Sequence, residues 1–210
     1  MKTKKVEVQM DVKTAIEQRH SVRKFKSTPV PVEVLRELVR RAGLAPSVNN
    51  AQPWQFIAVT NKSLIGKMAG IVHEKIHKVF EKTGKDNVMK TVEHFSTIFE
   101  NAPALIVVAN TPYKAIADAA LNHDDINAMR QHPDIQSIGA AIENILLSAV
   151  DLGYGGCWLS GLLVAQKELE ELLDIQAPAE LAAAVAVGEP EGQPKSRDKK
   201  SIDEIFTLIE

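Results

Sequence analysis

The sequence predicts an α+β protein. Helical apolar periodicities dominate the chain, only three or four segments read as strands, and strands and helices do not alternate in the regular β-α-β order of a doubly wound sheet. With 210 residues, 45% of them hydrophobic and 25% charged, the chain has the length and composition of one domain over residues 1–210. No internal repeat and no low-complexity linker divides it.

The elements follow in order. Asp11 is a candidate cap for a first helix in which Val12, Ala15 and Ile16 recur at helical spacing and which gives out near Arg19 and His20. Pro31 opens a second helix, with Val32, Leu35, Leu38, Val39 and Ala42 as its buried stripe and Gly43 as its stop. APSVNNAQP is loop material, and the aromatic, β-branched WQFIAVT after it is a strand. Residues 63–101 are helical and well charged, with a break around 83–86, and ALIVVAN from Ala104 is the next strand. A polar connection rich in His and Asp leads to Asp134, the expected cap of the most apolar helix, in which Ile135, Ile138, Ile142, Ile145, Ala149 and Leu152 recur. GYGG reads as a turn before CWLSG, residues 165–173 as a short helix, and LAAAVAVGEP as the last strand.

Composition removes several function classes. A formal net charge of -2 gives no general attraction for nucleic acid or an anionic membrane, so neither is expected as a partner and any anion site must be local. Cys157 is the single cysteine, which excludes an intrachain disulfide and a thiolate cluster. MKTKKVEVQMDVKTA has no apolar stretch of signal-peptide length, and runs such as LAAAVAV are too short to span a bilayer. Cytoplasmic residence is the expectation.

Five stretches carry candidate chemistry. VHEKIHKV holds His73, Glu74 and His77 in the order H-E-x-x-H, in which two histidines one helical turn apart bind zinc and the Glu serves as general base. A third ligand would have to be Glu93 or Glu100, neither in a supporting motif, and Lys75 and Lys78 mark the helix as a solvent-facing surface. No metal is expected there. RHSVRKF, residues 19–25, places Arg19, Ser21 and Arg23 on one face of an extended segment and His20 and Val22 on the other, so two guanidinium forks and a hydroxyl form a phosphate cradle. APSVNNAQPW is a Pro-stiffened loop whose Ser47, Asn49, Asn50 and Gln52 offer donors and acceptors to a heterocycle edge. GYGGCWLSG has the glycines of a dinucleotide fingerprint but follows a helix where that fingerprint follows a strand; its glycines let backbone approach a flat ligand, or turn the chain. PKSR, after the last strand, sets Lys195 and Arg197 on one face as a second cationic pair.

Taken together and in this order, R-x-S-x-R, A-P-S-x-x-N-x-Q-P-W, G-x-G-x-C-W-x-x-G, and a terminal G-x-P followed by P-x-x-R resemble the flavin-dependent nitroreductases over residues 11–206. That resemblance implies a central, mostly antiparallel sheet flanked by helices in an intertwined homodimer, with FMN at the subunit interface. Arg19, His20 and Ser21 match positions that hold the phosphate and ribityl chain, and Arg23 a basic position near the pyrimidine edge. Pro46, Ser47 and Asn50 match a loop that reaches the flavin of the opposite subunit, with Asn49 the alternative to Asn50. Leu159, Ser160 and Gly161 match the segment along the isoalloxazine, and Lys195 with Arg197 a second phosphate clamp. The implied activity is hydride transfer from NAD(P)H through flavin N5 to a small acceptor such as a nitroaromatic or quinone, with no side chain as covalent catalyst. Two alternatives are a flavin-binding sensor without turnover and a zinc hydrolase built on HEKIH.

Overall fold

The computed structural model describes residues 10–193 and 198–210. Helix α1 (Val12–Gln18) starts where Asp11 accepts hydrogen bonds from the Thr14 amide at 2.9 Å and its hydroxyl at 2.8 Å, and the chain turns extended at Arg19. After α2 (Val32–Ala42) and the loop that follows it, β1 (Trp54–Val59) leads into the hairpin of α3 (Lys62–Phe80) and α4 (Asp86–Ser96). Gly84, at φ 63°, makes the break expected between those helices. Then come β2 (Ala104–Asn110), α5 (His123–Met129), the 19-residue α6 (Pro133–Asp151), β3 (Gly155–Leu159), α7 (Gln166–Leu173), β4 (Glu180–Gly188) and the short α8 (Ile202–Ile205).

The four strands form one sheet in the order β1-β2-β4-β3, and every neighbouring pair is antiparallel. Central β2 reads as continuous apolar sequence because helices cover both of its faces. On one face Leu105, Val107 and Ala109 pack with Ile65, Met68 and Ile76 of α3 and Leu169 of α7. On the other, Ala104, Ile106 and Val108 pack with Leu35 and Leu38 of α2 and Ile138, Ile142 and Ile145 of α6. β1 and β3 are the two edges, and the edge at β3 organises the candidate site.

Three local expectations are corrected. The glycine-rich stretch is not only a turn: Gly153, at φ 78°, turns the chain, but Gly155 and Gly156 already belong to β3. The polar connection before α6 contains α5. Asp134 does not cap α6. His132, in the left-handed region at φ 54°, holds that position, and Asp134 is buried within the first turn. There its carboxylate accepts from Asn110 Nδ2 at 2.7 Å and Asn127 Nδ2 at 3.1 Å. Burial opposes ionisation of Asp134, yet those amides and the backbone N–H of Ile135 bring its pKa below the ordinary aspartate value.

Candidate functional site

Residues 19–26 leave α1 and run along the free edge of β3. Ser21 makes a parallel bridge to Gly156, and the Val22 amide donates to the Gly156 carbonyl at 2.9 Å. Farther on, Phe25 bridges Pro190 in the antiparallel sense, the Lys26 amide donates to the Glu189 carbonyl at 2.9 Å, and the Glu191 amide to the Lys24 carbonyl at 3.0 Å. The segment is thus held between β3 and the chain leaving β4.

This close approach requires the glycines. A Cβ on Gly155 would stand 2.3 Å from Val22 Cγ2, and one on Gly156 would stand 2.8 Å from Leu146 Cδ2 of α6. Both are filled by protein, not by an open space for a flat ligand.

The alternation expected of the extended segment holds. Val22 is buried, while Ser21 and Arg23 face outward. His20 falls on the Val22 side, in a hollow of about 470 Å³ shared with Tyr154, Gly155 and Pro190. Arg19 is partly covered, and its Nε lies 3.3 Å from Glu143 Oε1 on α6. Arg23 donates from one guanidinium nitrogen to the Ser21 carbonyl at 3.4 Å. It also lies near enough to Cys157 that its charge opposes the upward push that burial gives the thiol's pKa. Cys157 is accordingly a packed, protonated thiol.

At the end of β3, Leu159 is buried while Ser160 and Gly161 are exposed. The following 3₁₀ turn begins its hydrogen bonding with the Leu163 amide to the Ser160 carbonyl at 3.0 Å, so the turn itself does not use the Gly161 N–H. On its other side Gly161 meets α4: an added Cβ would lie 2.6 Å from Ser96 Oγ. The α3–α4 hairpin therefore borders this end of the site.

The chain thus sets Ser21, between Arg19 and Arg23, against β3 at Gly156, with Ser160 and Gly161 following at the end of that strand, while Pro46, Ser47, Asn49 and Asn50 belong to the loop after α2. That loop packs on the start of α6, where the Val48 amide donates to Ser137 Oγ at 3.0 Å. Ser47 Oγ accepts from the Gln52 amide at 3.0 Å, and Asn49, Asn50 and Gln52 all have positive φ, at 50°, 52° and 51°. Three non-glycine residues in the left-handed region mark a loop whose shape is imposed by its contacts. Asn49 and Asn50 are both exposed, and with Arg130, Pro46 and Ser47, Asn49 lines a cleft of about 330 Å³. Lys195 and Arg197 lie outside the described residues.

The H-E-x-x-H histidines have partners of their own. His73 Nδ1 and His77 Nε2 each lie 2.8 Å from the same Oε1 of Glu93, and His73 Nε2 lies 3.6 Å from Glu100 Oε2. Glu93 is held below the ordinary glutamate pKa, first by the His73 hydrogen bond, against a smaller opposing effect of burial. Both carboxylates considered as third zinc ligands thus face the histidines, but as a clasp between α3, α4 and the turn at Ile98–Asn101. Among the described residues, no three His, Cys, Asp or Glu side chains are arranged to hold a metal ion.

The donor set at the β3 edge suits a flavin mononucleotide. Its phosphate calls for a guanidinium and a hydroxyl close together, as Arg19 and Ser21 would provide, and its flat ring for a cation such as Arg23 and backbone N–H groups beside an open strand end. Sequence reasoning missed Trp158, which stands 45% exposed in the middle of this edge; only its place within the glycine-rich motif signalled it.

Comparison with known proteins identifies the family. The profile of the nitroreductase family matches residues 16–189. YfhC of Bacillus subtilis (strain 168), classed by its name with the NAD(P)H nitroreductases, is 27% identical over 91% of each chain. A BluB-like flavoprotein from Clostridium difficile 630 superposes with a TM-score of 0.86 at 32% identity, over 96% of this chain and all of that one. A Bacteroides fragilis nitroreductase solved with bound FMN superposes with a TM-score of 0.72 at 21% identity, over 96% of this chain and 100% of that one, and shares the fold.

Proposed function

The chain belongs to the nitroreductase family, and on that premise we propose that it is an FMN-dependent NAD(P)H oxidoreductase acting on a small acceptor such as a quinone or nitroaromatic. The observation that carries the reading is the pairing of the segment that holds Arg19, Ser21 and Arg23 with the edge of β3 at Gly156, the strand that leads into Ser160 and Gly161. The C. difficile relative, a flavoprotein by its name, supports it. FMN, when bound, supplies a centre that takes a hydride from the nicotinamide and passes it to the acceptor.

The chain's own residues supply binding and electrostatics. Ser21 and the guanidinium of Arg19, steadied by Glu143, hold the phosphate, joined by Lys195 and Arg197. His20 lies beside the ribityl chain. The Arg23 cation favours negative charge at the pyrimidine edge and so the reduced cofactor. The Gly161 N–H and Ser160 orient the ring edge, with Leu159 anchoring that segment in the core.

The site is completed by a second copy, whose Pro46, Ser47, Asn49 and Asn50 close it from the opposite side. Two features of the single chain call for that copy. Beyond Asp198, Ile202, Ile205, Phe206, Leu208 and Ile209 are all exposed, Ile209 at 90%. An apolar arm of this kind needs a surface to cover. The groove between α2 and β1, about 520 Å³, is lined by Val32, Leu35, Val39 and Ala58 and rimmed by Arg36 and Arg40, and β1 has an unpaired edge. It matches the arm's apolar residues and its acidic Asp203, Glu204 and Glu210.

Steady-state assays with FMN-loaded protein test the reading. NADH- or NADPH-dependent reduction of a quinone or a nitroaromatic is expected. Tight FMN binding without turnover of either acceptor class would contradict the reductase and leave a binding or sensing protein. No helix among the described residues is long and apolar enough to cross a membrane.

A further inference from the structure

Trp158 is the large aromatic that the fold leaves open at the β3 edge. Its neighbours in the strand, Cys157 and Leu159, are buried on the α3 side. Trp158 takes the opposite side, shared with Gly156, whose position is filled by Leu146 of α6. The indole edge lies over Gly139 of α6, where an added Cβ would stand 3.4 Å from Trp158 Cη2. Bare backbone at Gly139 leaves the indole low-walled on that side, and Trp158 is 45% exposed.

Polar groups surround this plane. One helical turn beyond Gly139, Glu143 pairs with Arg19, the bridge at Gly156 brings Ser21 alongside, and exposed Ser160 follows two residues on. An apolar plane framed by hydrogen-bond donors is the arrangement of a site for a flat ligand with polar edges; the centre of a protein interface is instead depleted of charge.

We propose that Trp158 is a positioning residue for the cofactor: its indole is the aromatic surface on which the isoalloxazine of FMN packs. The proposal rests on the flavin reading given above. It assigns the indole two effects. Stacking adds affinity, and the negative face of the indole favours the electron-poor oxidised ring over the electron-rich reduced one, opposing Arg23. The chain would thus set the flavin potential with one cation and one aromatic face.

The test compares full-length wild type, Trp158→Phe and Trp158→Leu, each confirmed as folded by circular dichroism. In wild type, electron transfer from the indole quenches the emission of bound FMN. Trp158→Leu is expected to restore that emission several-fold, to raise the FMN Kd roughly tenfold, in line with the loss of one base–aromatic stack, and to shift the midpoint potential positive. Trp158→Phe should recover most of the affinity and little of the quenching. Unchanged emission, Kd and potential in Trp158→Leu, with FMN still bound by wild type, would overturn the role of Trp158 and leave the flavin reading standing. A change of oligomeric state in Trp158→Leu by sedimentation, with FMN emission as in wild type, would likewise overturn it and place the indole against a second copy. Wild type that binds no FMN would overturn both.

Discussion

At the residue scale, the proposed flavin site depends on side chains whose loss should not unfold the protein. Arg23 is exposed, and among the described residues its one hydrogen bond, to the Ser21 carbonyl, is long at 3.4 Å. Arg23→Ala is therefore expected to keep the wild-type melting temperature within error and to weaken FMN binding by about ten- to a hundredfold, the usual worth of a hydrogen bond from a charged group. Fluorescence titration reads the affinity. These residues were legible in the sequence because alternation along an extended segment fixes which side chains share a face. Asp134 was not, because its partners Asn110 and Asn127 come from β2 and α5, and a residue beside an apolar helix reads locally as a cap.

At the scale of elements, the β3 edge and the α3–α4 hairpin make separate predictions. Gly155→Ala would force a methyl group to within 2.3 Å of Val22 Cγ2, so residues 19–25 must move off the strand. Overpacking of this kind costs about 1–3 kcal/mol, and a lowered melting temperature together with weaker FMN binding is expected. Unaltered FMN binding would detach the segment from the site. For the hairpin, Glu93 has its folded pKa lowered from 4.5, so its stabilising contribution is full above that value and is lost as pH falls through the depressed one. The melting-temperature gap between wild type and Glu93→Gln should be widest above pH 4.5 and close in more acid solution. Helices α1 to α4, α6 and α7 and strands β1, β2 and β4 were readable from periodicity and β-branched runs, whereas α5 and α8 are short and carry no apolar stripe long enough to read. β3 was not, because two of its five residues are glycines that serve contacts with Val22 and Leu146, far away in sequence.

At the scale of the whole molecule, the predicted α+β class and single sheet are the observed ones, and the sequence motifs fall on two separate parts of one protomer. On the proposed reading two copies meet, one contributing the β3 edge and the other the loop at Ser47 to Gln52. The apolar C-terminal arm carries the same implication. Removal of residues 198–210 is expected to yield monomer by analytical ultracentrifugation and to lower FMN affinity at least tenfold, although no residue of the phosphate face is removed. A truncated chain that remains dimeric with undiminished affinity would assign the arm another role.

The most direct test of the central claim is the visible absorption spectrum of FMN-loaded protein, recorded without oxygen before and after NADH or NADPH and again after a quinone. The account predicts a flavin spectrum that bleaches with at least one nicotinamide and returns with the quinone. A protein that takes up no FMN, or whose bound flavin neither nicotinamide bleaches, would contradict it.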